Sequence, residues 1–166
     1  MSASSSGRDP WLDCPAHLNA RLIRPLLRFY ERRFGGAALE ELAGRLGTSL
    51  DVLEDPDRWF SAELILSLNR AMISATGDPD ITYKAGRALA EPGIMGPERM
   101  LVRALLSPRR VLESLASLTV RYSRITLWRI QIIGRGAARV DFQPLEGATD
   151  DLCFCRNLEG HRHAVH

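Results

Sequence analysis

The chain has 166 residues, 45% hydrophobic and 25% charged, which is enough for one domain with a substantial core. A formal net charge of +2, carried by scattered rather than clustered arginines, excludes the basic footprint of a protein that binds nucleic acid directly. Three cysteines with no secretory apolar region ahead of them point to a reducing cytoplasm, and no apolar run reaches the length of a membrane span. Residues 1–16 read as a disordered tail, Ser-, Gly- and Asp-rich as far as Pro10, and residues 17–166 as a single domain.

Leu18, Leu22, Ile23, Leu26, Leu27 and Tyr30 recur at helical spacing, and Gly35-Gly36 closes the segment. Pro25 inside that pattern either kinks the helix or marks the first turn of a shorter one that begins near Ile23. A second helix is expected from about Ala37 to Leu46, ended by Gly47, with Leu39, Leu42 and Leu46 on one face. The stretch from Leu53 to Phe60 reads as a turn, in which Glu54, Asp55 and Asp57 serve as turn and capping groups. Ser61 then caps a third helix that carries Leu64, Ile65, Leu68 and Met72.

Ser74–Arg87 has the look of a phosphate loop, with Lys84, the chain's single lysine, downstream. A phosphate cradle needs several glycines that end in Gly-Lys-Ser/Thr, and here one glycine stands at the turn. Asp78 also places a carboxylate where a phosphate would sit, so the stretch reads as a helix–helix junction: Gly77 ends one helix, Asp78 caps the next and Pro79 takes its first position. Lys84 is then a solvated helix residue. A Gly- and Pro-rich loop, Glu91–Pro97, follows, then an apolar helix around Met100–Leu106 and another that starts at Ser107-Pro108 and runs through Tyr122.

From Ile125 the period changes to two. Ile125–Ile133 and Ala137–Gln143 form a hairpin about Gly134-Arg135-Gly136. A three-residue loop sets Ile133 opposite Ala137, Trp128 opposite Phe142, Ile130 opposite Val140, and Arg129 opposite Asp141 as an ion pair on the outer face. The fold class is therefore α+β, with five or six helices ahead of any strand and packed on a small antiparallel hairpin.

The order of Leu53-x-Asp-Pro-Asp-x-Trp-x-Ser61, then Thr76-Gly-Asp-Pro-Asp-x-x-Tyr-Lys-Ala-Gly-Arg87, then Leu105-Leu-Ser-Pro-Arg-Arg-Val-Leu112, then the hairpin and Cys155-x-x-x-x-Gly160, resembles a known class. It is similar, from Leu22 to Gly160, to the N-terminal sensory domains found ahead of bacterial histidine kinases or nucleotide cyclases, and to the effector-binding domain of AraC-type transcription regulators. The 4-vinyl-reductase-type and haem-nitric-oxide-binding domains share the general layout. The resemblance implies a ligand-binding domain coupled to an output signalling module or partner protein. No such module follows in this sequence, so a stand-alone sensor or a fragment is expected.

The candidate pocket residues are Trp59, Met72, Ile94, Met95, Met100, Trp128 and Phe142, whose aromatic, aliphatic and sulfur side chains suit a small apolar ligand. The loop that contains Ile94 and Met95 is expected to act as a lid. Cys153, Cys155, His161 and His163 are a chemically sensible zinc set, and in the resembling families a cysteine recurs where Cys155 stands. Haem is the other cofactor that the resemblance raises. Its binders carry Tyr-x-Ser-x-Arg, from which this chain departs, with Arg124 and Thr126 at those spacings from Tyr122.

Catalysis finds little material. No Gly-x-Ser-x-Gly elbow is present, and His17, a lone histidine near a helix start, reads as a surface residue. The expected function is a non-enzymatic sensor that binds an apolar molecule, with possible homodimerisation; the alternative is an interaction or dimerisation module without a ligand, its contact made by the helix Leu115–Tyr122 or a hairpin edge.

Overall fold

A computed structural model describes residues 16–88, Glu91, Ile94, 121–124, 126–134 and 137–144. Within them the fold is α+β: five α-helices and two antiparallel sheets of two strands each. Strand β1 is Leu18–Asn19, and a 3-10 turn, Ala20–Leu22, leads from it into α1, Arg24–Phe34. Pro25 stands in the first turn of α1, where its missing N–H costs nothing, so the shorter-helix alternative holds. Leu18, expected on that helix, is instead extended and pairs with Phe60. The expectation that helices precede all strands is corrected by the same pairing, because β2, Trp59–Phe60, also lies early in the chain. Two-residue strands leave no period for sequence to display.

Gly35, at φ 90° and ψ 163°, turns the chain sharply from α1 into α2, Gly36–Arg45. A five-residue helix, α3, Leu50–Glu54, replaces the first part of the expected turn, with Leu53 fully buried. The turn proper is held by Asp55, whose Oδ1 accepts from the Asp57 N–H at 3.1 Å. Helix α4, Ala62–Thr76, begins as expected: the Ser61 hydroxyl accepts the Leu64 N–H at 3.2 Å. It ends at Gly77, which is left-handed at φ 65° and donates its N–H to Ile73 at 2.8 Å.

Helix α5 is Ile81–Ala88. Its start lies two residues later than expected, with Pro79 in the preceding turn, because the Asp78 side chain caps the N–H of Asp80 at 3.0 Å. Lys84 is not merely solvated. Its ammonium bonds to the other carboxylate oxygen of Asp78 at 2.5 Å. The core lies where α1, α2, α4 and α5 meet, and Leu27, Leu42, Leu64, Leu68 and Ile81 fill it.

Strands β3, Thr126–Gly134, and β4, Ala137–Pro144, pair in the expected register: Trp128 opposite Phe142, Arg129 opposite Asp141, Ile130 opposite Val140. Near the tip the expectation fails. Gly134, not Ile133, pairs with Ala137, which leaves two residues between the strands, and a bulge sets Ile133 outside the ladder. Arg129, Gln131, Ile133 and Arg139 are exposed, so the polar face is the outer one. Its ion pair runs along β4 rather than across the hairpin, since the Asp141 carboxylate takes the Nε–H of Arg139 at 2.8 Å. The helix expected through Tyr122 is described only at Arg121 and Tyr122, which are helical. The tail as far as residue 15 and the helix around Met100–Leu106 lie outside the described residues. Among the described residues no helix is long and apolar enough to cross a membrane.

Candidate functional site

The structure brings two of the seven expected pocket residues together. Met72, at 0% exposure, lies on the buried face of α4, and Ile94, at 1%, joins the same core cluster from the Gly- and Pro-rich segment. Trp59 is half-buried and outside that core cluster, with the Arg124 guanidinium 4.4 Å from its ring centre. Trp128 and Phe142 face each other in the ladder, where only their backbone positions are described. Met95 and Met100 lie outside the described residues, as do Cys153, Cys155, His161 and His163.

Two polar residues prove to hold unusual places: His17, read from the sequence as a surface residue, and Asn69, which the sequence reading passed over. His17 is half-buried rather than a free surface residue. Its backbone donates to the Phe60 carbonyl at 2.9 Å and accepts from the Arg124 N–H at 2.8 Å, while its Nδ1 accepts the Ala62 N–H at 3.2 Å. Leu18 also bridges to Ser123, so one short segment fastens β2, the N-terminus of α4 and the approach to β3.

Asn69 lies fully buried on α4, and among the described residues neither its Oδ1 nor its Nδ2 has a hydrogen-bond partner. The signal was present in the sequence: Asn69 is four residues after Ile65 and three before Met72, which places a carboxamide on the apolar stripe.

A surface cleft of about 240 Å³ opens among Tyr30 and Phe34 of α1, Ala38, Glu41, Leu42 and Arg45 of α2, and Ala75 and Thr76 at the end of α4. It holds none of the expected pocket residues, and its volume falls below the ~300–1,000 Å³ of sites that enclose a drug-sized ligand. The Tyr30 and Phe34 rings meet at 4.7 Å between centres, and Phe34 is 40% exposed. Burial raises the Tyr30 phenol above its ordinary range, with Arg45 opposing and Glu41 adding to that effect. Glu41 and Arg45 are bound to each other at 2.8 Å one helical turn apart. The cleft can therefore hold a small ring or a side chain, and its charged pair is already engaged.

No protein-family model matches this chain, and no curated protein matches it.

Proposed function

We propose that this chain is a non-enzymatic sensory domain of a bacterial signal-transduction or transcription regulator, one that takes up a small apolar molecule between its helices and its hairpin. The burial of Ile94 carries the reading. Connecting segments run over the surface by default because their backbone polar groups need water, yet this one contributes a side chain at 1% exposure to the core that holds Met72. The position of Ile94 is thereby tied to how the core is filled. A guest that repacks this core, where Met72 has an unbranched and adaptable side chain, would act on Ile94, and a sensor must transmit a change of that kind.

Glu41 with Arg45 and Asp78 with Lys84 are engaged with each other, so neither pair offers a free acid or base. The output would be a partner protein or a further module, in the cytoplasm.

A thermal-shift screen of lipids, aromatics and tetrapyrroles tests the reading. A ligand that binds only the folded state stabilises it by about 2.7 kcal/mol at a hundredfold excess over its dissociation constant. The expected result is at least one compound that raises the melting temperature and loses its effect in Ile94→Asp; a blank screen, with native mass spectrometry showing no retained small molecule, overturns it.

One observation favours the alternative of an interaction or dimerisation module. Ile133 is 66% exposed at the bulge of the hairpin, an apolar side chain beside a strand edge.

A further inference from the structure

Asn69 occupies the middle of α4 with Ile65 and Leu66 one turn before it and Met72 one turn after, all three buried. Buried side-chain amides almost always find partners, because losing water without a replacement hydrogen bond is costly. Here both polar atoms are sealed from solvent, and neither is bonded among the described residues. Leucine has nearly the same shape and no such penalty, so packing alone gives α4 no reason to hold an amide at this position.

We infer that the Asn69 carboxamide is a hydrogen-bonding anchor for an apolar ligand that carries one neutral amide-type group. The inference rests on the ligand-binding reading above and narrows its chemistry. A carboxamide presents an acceptor oxygen and a donor nitrogen side by side in one plane, and its complement is a group with a donor and an acceptor in the same cis arrangement. Primary amides, lactams and undissociated carboxylic acids have that arrangement; ketones, esters and hydrocarbons do not. A charged head group is disfavoured, because the neighbouring core side chains Ile65, Leu66, Leu68 and Met72 offer it no counter-charge. Met72, three residues along the same face, is unbranched and can change rotamer to make room for the guest.

Octanamide and 2-nonanone form a matched pair of probes, with the same seven-carbon chain on a carbonyl and a methyl in place of the amino group. Calorimetric titration of the full chain should show octanamide binding at least about tenfold tighter than 2-nonanone, the worth of one to two buried hydrogen bonds. In Asn69→Leu that preference should disappear, while the free protein melts at a higher temperature. Asn69→Ala serves as the second variant should the leucine fail to fold.

Equal binding of both probes to the unaltered protein, or an amide preference that survives in both variants, overturns the anchor and leaves the sensor reading standing. Failure of octanamide to bind also overturns the anchor, and a blank screen of lipids, aromatics and tetrapyrroles then removes the ligand-binding reading with it.

Discussion

The imidazole Nδ1 of His17 accepts the backbone N–H of Ala62 at 3.2 Å, so a residue 45 positions upstream caps the first turn of α4. Caps are usually local, and Ser61 supplies the local one here by accepting from Leu64. The helix thus has two of its first N–H groups satisfied, one by its own preceding residue and one by the segment that also pairs with β2. His17→Ala should lower the stability by about 1 kcal/mol, read as the urea midpoint at unchanged slope. His17→Asn, which keeps an acceptor near the same place, should recover part of that loss. An unchanged midpoint in the alanine variant would mean that water replaces the imidazole at no cost.

The junction between α4 and α5 predicts a dependence on acid. The Asp78 carboxyl is held below the usual carboxylate range, first by the hydrogen bond from Lys84 and then by the Asp80 N–H. A carboxyl whose folded value is depressed binds fewer protons folded than unfolded. Its contribution is therefore fully present above the ordinary aspartate value of about 3.9 and is lost as the pH falls through the lower folded value. Denaturation followed from pH 5 down to pH 2 should show a steeper acid loss in the unaltered protein than in Lys84→Ala, and 1 M salt should shrink the difference because the pair is exposed. At neutral pH the same substitution should change stability little, because water and salt screen an ion pair at the surface. Equal acid limbs would remove Lys84 as the cause.

Gly35 and Gly77 are needed for their backbone angles and not for space. A Cβ at either would meet nothing within 4 Å, yet both have positive φ, 90° and 65°. Alanine at Gly77 should cost about 1 kcal/mol, and alanine at Gly35 more, because its φ and ψ lie outside even the left-handed helical region open to other residues. Thermal unfolding of the two variants checks the order; the reverse order would show that the α1–α2 corner relaxes.

What the sequence made legible follows from how local each cause is. The Ser61 cap, the Gly77 stop and the hairpin register from Trp128–Phe142 to Ile130–Val140 are set by residues close together or by alternation along a strand. The pairing of Leu18 with Phe60 and the role of His17 join residues more than forty positions apart through two-residue strands, too short to impose a pattern. The bulge at Ile133 arises at the turn, where Gly134 takes the ladder position expected of its neighbour. At the candidate site, Met72 was found because it completes an apolar stripe, and Asn69 was missed because the same stripe was read by its apolar members alone. The cleft beside Tyr30 and Phe34 needs three helices to meet, and no single segment announces it.

Ile133 gives the interaction reading its own test. The bulge removes it from the ladder and leaves it 66% exposed, beside Arg129, Gln131 and Arg139 on the outer face of the hairpin. An apolar residue at a strand edge promotes edge-to-edge pairing, whereas lysine there opposes it by requiring a buried charge in any paired form. Sedimentation of the full chain across a range of concentrations should show self-association that weakens in Ile133→Lys by about tenfold or more, the worth of burying one large aliphatic side chain. Because the side chain is in water in the single chain, the melting temperature of dilute protein should barely move. If the unaltered protein associates and the lysine variant associates equally, the contact lies elsewhere, and the exposed Phe34 at the α1–α2 corner is the next residue to replace. If the unaltered protein sediments as a single chain at every concentration, self-association through the hairpin is ruled out.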